Sequence, residues 1–304
     1  MKNILVLYYT QSGQLKDIID SYLTDFDNEE FSITFEKIET KKEYEFPWRI
    51  LPFFDAFTES VKNIPCDIEP LKYDENKKYD LIILGYQIWY LNPSIPFNSA
   101  LLSNKLKNTI KGSKVVTLIG CRNLWIMAQE KIKRKIIEYN GELVGNIALV
   151  DRTSNLTGAV TIVYWLIFGK KEKLFGIFPL PGVSDKDIKG CSNFGTITSN
   201  AMKTNSWVGH NEQLVNNHSS VITPSLLIFE KRISRIFGIW ANFIHKSGPA
   251  GSPKRKPKLI LFIIYLILAL LILAPLVSVF SVIYVLVNKQ DLKKEIVNYQ
   301  NVNI

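Results

Sequence analysis

The sequence is poor in the residues that staple small secreted domains or hold metal ions. It has three cysteines in 304 residues. They are Cys66, Cys121 and Cys191, an odd set with no CxxC pair, which argues against a disulfide framework or a cysteine zinc site and fits a reducing compartment. Histidine is equally scarce. Neither His210 nor His218 stands at metal-ligand spacing from another histidine or a cysteine, so no metal site is expected and neither is a strong candidate for catalysis. The first apolar run, Ile4 to Tyr9, is too short for the core of a signal peptide. The chain has neither a Walker A nor a GxGxxG motif. One further lack is local: no charged residue lies between Leu259 and Val287.

What is present is globular in character. Hydrophobic residues make up 47% and the net charge is +9, a balance far from that of a disordered chain. The length suits one large domain or two smaller ones. Ile4 to Tyr9 is apolar throughout and reads as a strand buried on both faces. It ends in Thr10-Gln11-Ser12-Gly13-Gln14, and a helical pattern (Leu15, Ile18, Ile19, Tyr22, Leu23) follows at once. A strand, a hydroxyl-rich loop and a helix start together make a place for a phosphate. Free backbone N–H groups and the positive end of the helix dipole point into the loop. Thr10 and Ser12 offer hydroxyl groups, and Gly13 lets the backbone come close.

Further strands are expected at Phe31–Ile38, where alternation marks an outer position, and at Tyr79–Gly85, Lys114–Gly120 and Glu142–Asp151. Helices are expected near Ser99–Lys107 and over Leu124–Tyr139. Alternating strands and helices call for a doubly wound parallel α/β sheet in the order 2-1-3-4-5, with ligands at the carboxyl ends of the strands. Residues 40 to 77 are irregular and carry an aromatic stretch from Phe46 to Phe57. This is expected to be a helix-containing insertion, serving either as a lid or as a satellite hydrophobic cluster.

Three loops leave the carboxyl ends, and each suits part of a phosphorylated flat ring. Thr10, Gln11, Ser12, Gly13 and Gln14 would meet the phosphate. The second loop, Gly85 to Pro96, brings Gln87, Ile88, Trp89 and Tyr90, whose aromatic rings can stack on a ring face. The third, Gly120 to Trp125, brings Cys121, Arg122, Asn123 and Trp125. The cofactor expected from this set is FMN. Tyr86, Tyr90 and Cys121 are weak candidates for an acid or base.

The first loop is similar to the FMN-phosphate loop of flavodoxin-like proteins, roughly T-x-S/T-G-x-T, although Leu15 stands where many of them carry threonine. Residues 1–150 resemble a flavodoxin-like FMN-binding domain. The stretches Tyr-Tyr-Thr-Gln-Ser-Gly-Gln-Leu and Cys-Arg-Asn-Leu-Trp, with the long C-terminal extension, more closely resemble the flavodoxin-like aromatase of dialkylresorcinol and flexirubin biosynthesis. That resemblance implies oxidative aromatisation of a dialkylcyclohexanedione to a dialkylresorcinol, with a ketosynthase-like pathway partner. The same loops would serve a general NAD(P)H/quinone oxidoreductase or a protoporphyrinogen-oxidase-like flavoenzyme. A non-enzymatic electron carrier is the third alternative, and the basic charge and long extension argue against it.

Residues 151–247 form an extension. Within it, Ala159–Phe168 is apolar but too short to span a bilayer, and 176–224 reads as loop. Ser225–Lys246 has the pattern of a basic amphipathic helix, suited to a membrane surface or to packing on the flavin domain. Residues 248–258 read as a basic linker with Lys254, Arg255, Lys256 and Lys258, and 259–287 as one transmembrane helix. A polar tail, 288–304, follows. More lysine and arginine residues precede the run than follow it, which favours a protein on the cytoplasmic face of the inner membrane with a single-pass C-terminal anchor. The basic residues then face lipid headgroups and no nucleic acid is needed. A membrane-bound flavin suits a lipophilic substrate, whose alkyl chains residues 46–57 and 159–168 could line.

Overall fold

The apolar run at the start of the chain is β1 (Lys2–Tyr8), and it is buried on both faces because it lies near the middle of a sheet. The computed structural model describes residues 1–273, 280–281 and 284–302. β1 pairs in parallel with β2 (Phe31–Lys37) on one side and β3 (Leu81–Trp89) on the other, with Ile4 opposite both Ile33 and Leu81. After β3 the chain turns back into β4 (Asn92–Pro93), a two-residue strand antiparallel to the end of β3. β5 (Lys114–Cys121) and β6 (Glu142–Val150) complete the sheet in the order β2-β1-β3-β5-β6. With β4 set aside, this is the doubly wound 2-1-3-4-5 order expected from the sequence, the flavodoxin-like topology.

Each face of the sheet carries a helical layer. Ile4, Val6 and Tyr8 point to one side, where α1 (Gln14–Tyr22) places Leu15, Ile18, Ile19 and Tyr22 on them. Leu5 and Leu7 point to the other, under α3 (Ile95–Leu101), α4 (Asn104–Ile110) and α5 (Ile126–Glu138). The layer that α1 begins is finished by segments past residue 150. α7 (Asp185–Gly190), α8 (Ser192–Thr204) and α9 (His210–Asn216) add Ile188, Phe194, Met202 and Leu214 to the same core.

The loop expected over 176–224 is therefore corrected to three helices. Two of its glycines, Gly182 and Gly195, mark close packing. At Gly195, inside α8, any side chain would overlap the carbonyl oxygen of Tyr22 at the end of α1. His210 joins these helices to the sheet. Its Nδ1 lies 2.8 Å from the Val144 carbonyl and its Nε2 3.0 Å from Thr198 Oγ1, which also receives the Tyr22 hydroxyl at 2.7 Å. Burial lowers the pKa of this imidazole, so the neutral ring is held as a structural link.

The aromatic insertion forms α2 (Ile50–Lys62), which packs on α10 (Pro224–His245) and α11 (Lys256–Leu268) through Phe57, Ala241, Ile244, Leu259 and Phe262. The rings of Phe57 and Phe262 are 4.1 Å apart between centroids. The stretch expected to be a basic linker is pinned to α2 by Arg255, whose side chain is wholly buried. Its guanidinium donates to Asp55 at 3.0 Å and to both oxygens of Glu59 at 2.7 and 3.0 Å, and its Nε donates to the Gly248 carbonyl at 2.7 Å.

The transmembrane helix and the single-pass localisation expected for 259–287 are corrected. No helix among the described residues is long and apolar enough to cross a membrane. α11 ends after 13 residues and passes into a π-helical turn at Ala269–Leu273. That helix covers about 20 Å of a hydrocarbon layer about 30 Å thick, and it spends Leu259 and Phe262 on the core. The expected polar tail is α12 (Lys289–Gln300), and it lies on the same body as the sheet. Ile296 and Tyr299 pack on the α5 side of the core, and Glu295 pairs with Lys231. Lys133 Nζ donates to the Asn301 carbonyl at 2.6 Å, and Gln300 Nε2 to that of Ser220 at 2.9 Å. The rest of the charge-free run, Pro275 included, lies outside the described residues at 274–279 and 282–283, as do 303–304 of the tail.

The Arg255 cluster yields a stability prediction. Arg255→Met leaves the Asp55 and Glu59 carboxylates facing each other without their guanidinium, at a cost of about 3–5 kcal/mol. The midpoint of denaturant unfolding should fall accordingly. Adding Asp55→Asn and Glu59→Gln to the same chain should restore part of the loss. An unchanged midpoint in the single variant would mean that Arg255 does not fasten the segment.

Candidate functional site

Three strand ends meet at one edge of the sheet. Tyr9 N donates to the Gly85 carbonyl at 3.2 Å, Gln11 N donates to Gln87 Oε1 at 2.8 Å, and Gln87 stands opposite Gly120 in the β3–β5 register. The three loops singled out in the sequence are thus neighbours. They border a cavity of about 240 Å³ lined by Gln11, Ser12, Gln14, Gln87, Ile88, Trp89, Tyr90, Cys121 and Arg122, all expected site residues.

The first loop leaves backbone amides open at the start of α1. Thr10 does not face the cavity as a free hydroxyl: its Oγ1 accepts from Gly13 N at 3.1 Å and closes the turn into α1. Lys16 N bonds back to Gly13 O at 2.8 Å. The amides of Ser12, Gln14 and Leu15 take no acceptor among the described residues, as the first turn of a helix leaves them. Ser12 lines the cavity beside Gln11 and Gln14. Gln11 contributes wall more than donor: its side chain accepts from the Tyr9 hydroxyl at 2.5 Å and donates to the Tyr44 carbonyl at 2.7 Å.

The second loop is a tight hairpin. Tyr90 and Leu91 have φ of 48° and 66°, both in the left-handed region that residues with side chains avoid. Such backbone costs about 1–3 kcal/mol per residue and persists where its surroundings hold it. Here the Tyr90 hydroxyl donates to the Phe53 carbonyl at 2.7 Å and Asn92 Nδ2 to the Tyr90 carbonyl at 2.8 Å. The turn sets Trp89 among Tyr9, Tyr44 and Trp48, with ring centroids 5.1 to 5.9 Å away.

The third loop divides. Cys121 and Arg122 border the cavity, while Asn123 and Trp125 border a separate cavity of about 780 Å³ beside Asp151–Ser154 and residues 217–226. Arg122 Nη2 donates to the Ser154 carbonyl at 2.8 Å. Burial lowers the pKa of its guanidinium, and the nearby Asp151 carboxylate opposes this.

Of the three weak acid–base candidates, Tyr86 turns away from the cavity. It stacks on Phe97 and donates to Gln129 Oε1 at 2.5 Å, at the head of a buried chain through Thr117 to Asn146. Tyr90 and Cys121 do border the cavity. Burial drives both the Tyr90 hydroxyl and the Cys121 thiol well above their ordinary ranges, so both groups are protonated at neutral pH.

The other walls come from parts of the chain that a bare doubly wound domain lacks. Trp48, Phe53 and Ala56 belong to the aromatic insertion, and Ile162, Trp165 and Leu166 to α6 (Asn155–Phe168). Their aromatic and apolar composition was the signal in the sequence, which gave them as chain-lining stretches. The residue the sequence did not flag is Glu230, in the first half of α10. It is wholly buried and accepts from Met127 N at 2.8 Å and Ile126 N at 3.3 Å, capping α5 behind the third loop. Burial raises its carboxyl to about 7 despite these two amides.

No family model matches the chain, and no curated protein matches it. Among solved structures, a flavoprotein from Lactobacillus acidophilus NCFM in complex with FMN is 17% identical, the match covering 48% of this chain and 92% of that one at a TM-score of 0.39. A flavodoxin from the domain Archaea is 13% identical over 66% of this chain and 99% of that one, with a TM-score of 0.37. An azoreductase from Bacillus anthracis str. Sterne is 10% identical over 56% and 96%, with a TM-score of 0.33. The fold itself rests on the strand order and crossovers of this chain.

Glu230 carries a pH prediction. Its folded-state pKa of about 7 lies above the ordinary 4.5, so the native protein holds a proton there that the unfolded chain releases. The stability this lends is full below 4.5 and is lost as pH rises through 7. Glu230→Gln should therefore be more stable than the parent at pH 8, by up to about 3 kcal/mol, and nearly equal to it at pH 4.5. Thermal unfolding of both proteins across that range checks it, and parallel profiles would refute it.

Proposed function

We propose that the protein is an FMN-dependent oxidoreductase acting on a lipophilic substrate. The observation that carries this reading is the pairing of an anion-receiving helix start with an aromatic slot, both at the carboxyl edge of one parallel sheet. When bound, FMN supplies the redox chemistry. The residues present fit its parts. The Ser12 hydroxyl and the amides of Ser12, Gln14 and Leu15 suit the phosphate. Trp48, Trp89 and Trp165 offer ring faces and edges, and Gln87 and Arg122 offer donors for a heteroatom edge.

The substrate reading rests on the walls. Phe53, Ala56, Ile162 and Leu166 extend the slot with apolar surface and no charge, which favours a ring bearing alkyl chains over a charged metabolite. Oxidative aromatisation of a dialkylcyclohexanedione to a dialkylresorcinol is the specific reaction we favour, with a ketosynthase-like enzyme as supplier. In that reaction the protein orients the ring and excludes water, and the protonated Cys121 thiol borders the slot, while the Tyr90 hydroxyl stays bound to the Phe53 carbonyl. A quinone-directed oxidoreductase would use the same slot. A bare electron carrier is disfavoured, because the aromatic insertion and α6 cover the slot that a carrier keeps open.

The purified protein should bind FMN one to one, and Ser12→Ala with Gln87→Ala should weaken binding at least about tenfold, at roughly 1 kcal/mol for each lost hydrogen bond. Anaerobic reduction of the bound flavin by a dialkylcyclohexanedione then tests the substrate. A protein that takes up no flavin on titration ends the proposal, and flavin that bleaches only with NAD(P)H favours the quinone reading.

A further inference from the structure

We propose that residues 151–183 form a strap that completes the cofactor site, with Gln14 as its latch, and that the strap must lift for the cofactor to pass. The proposal rests on the FMN reading for the identity of what passes, and on geometry for the rest.

The strap starts and ends on one carboxylate. Asp151 Oδ1 accepts from Thr153 N at 2.9 Å and its Oδ2 from Gly182 N at 3.2 Å, so the chain between them is a closed excursion. Between those points α6 crosses the site and supplies Ile162, Trp165 and Leu166 to the cavity wall. Two ion pairs tie its flanks to α7, Arg152–Asp187 at 2.7 Å and Lys171–Asp185 at 3.7 Å, and few bonds hold α6 itself. Trp48 N donates to the Leu166 carbonyl at 2.7 Å, and Arg122 fixes its first turn through Ser154. The outer part holds little in the core, with Phe168, Phe175 and Ile177 exposed by 60%, 82% and 80%. A segment with sparse buried contact opens at low cost.

The latch joins the strap to the phosphate loop. Gln14 is the first residue of α1, yet its amide turns away from the loop and takes both backbone groups of Val183: Val183 N donates to Oε1 at 3.0 Å, and Nε2 donates to the Val183 carbonyl at 3.1 Å. Gly182 makes this seat possible. It has φ of +86°, and a Cβ there would lie 2.8 Å from both Gln14 Oε1 and the Trp165 ring. The cavity, about 240 Å³ and only partly enclosed, falls below the roughly 300–1,000 Å³ that ligand pockets offer. A three-ring head fills it only if a wall moves, and the strap, with its outer part exposed, is a wall that can lift. Ile162, Trp165 and Leu166 are then cofactor-site residues, and Gln14 is a positioning residue that couples strap closure to the phosphate loop.

The test uses the full chain and two variants, Gln14→Met and Gly182→Ala. In the flavin-free protein, amide hydrogen exchange over 160–183 should rise about tenfold or more in both, with β1 and β5 unchanged. With FMN loaded, its release, read as recovery of flavin fluorescence on dilution, should quicken by a similar factor. Unchanged exchange over 160–183 overturns the latch. Raised exchange with unchanged FMN release overturns the gating role. If Gly182→Ala does not fold, Gln14→Met decides alone. If the wild type binds no FMN, the functional reading falls while the exchange measurement still judges the latch.

Discussion

A parallel sheet must be covered on both faces, and the rest of this molecule follows from how the chain meets that demand. Its inner strands are apolar at most positions, so any uncovered stretch of them would face water. The α3–α5 side is covered by the crossovers themselves. On the other side, α1 alone is too narrow. The chain past residue 150 supplies α7, α8 and α9, and His210 ties them to the edge strand β6 through the Val144 carbonyl. The extension is thus part of the layer that makes the sheet stable, and the path it takes to reach that layer carries α6 over the carboxyl edge.

That path explains why the cavity has walls above the strand ends that a simpler domain of this topology would lack. Two additions meet above the strand ends: the aromatic insertion, which packs outward on α10 and α11 and inward on the slot, and α6, which touches it through Trp48 and Leu166. The left-handed turn at Tyr90–Leu91 belongs to the same construction, since the Tyr90 hydroxyl that steadies it is bound to the insertion.

The sheet was legible because strands buried on both faces are written as unbroken apolar runs, and the loops because each follows such a run. Ser12, Gln87, Trp89 and Arg122, expected on this ground, all border one cavity. Three features were not legible, each for a physical reason. Gly195 looked like a loop residue because a sequence does not show which backbone will press against it. Glu230 looked like one more polar position on a helix, because nothing local announces that the α5 amides will meet it. Leu259 and Phe262 looked like part of a lipid-facing span, because aliphatic side chains read the same whether lipid or Phe57 receives them. The two readings of the aromatic insertion, lid and satellite cluster, each describe one face of α2.

The return of α12 to the body gives the charge-free stretch a topological character. Its first turns are held by Arg255 and Phe262, and the residues after it by Ile296, Tyr299 and the Lys133 bond to Asn301. The described residues on either side of it are fastened to one body. Anything that shelters Ile264, Leu268 or Leu271, which all stand exposed, has to approach them sideways. Pulling on the stretch would also load two anchors on one domain at once.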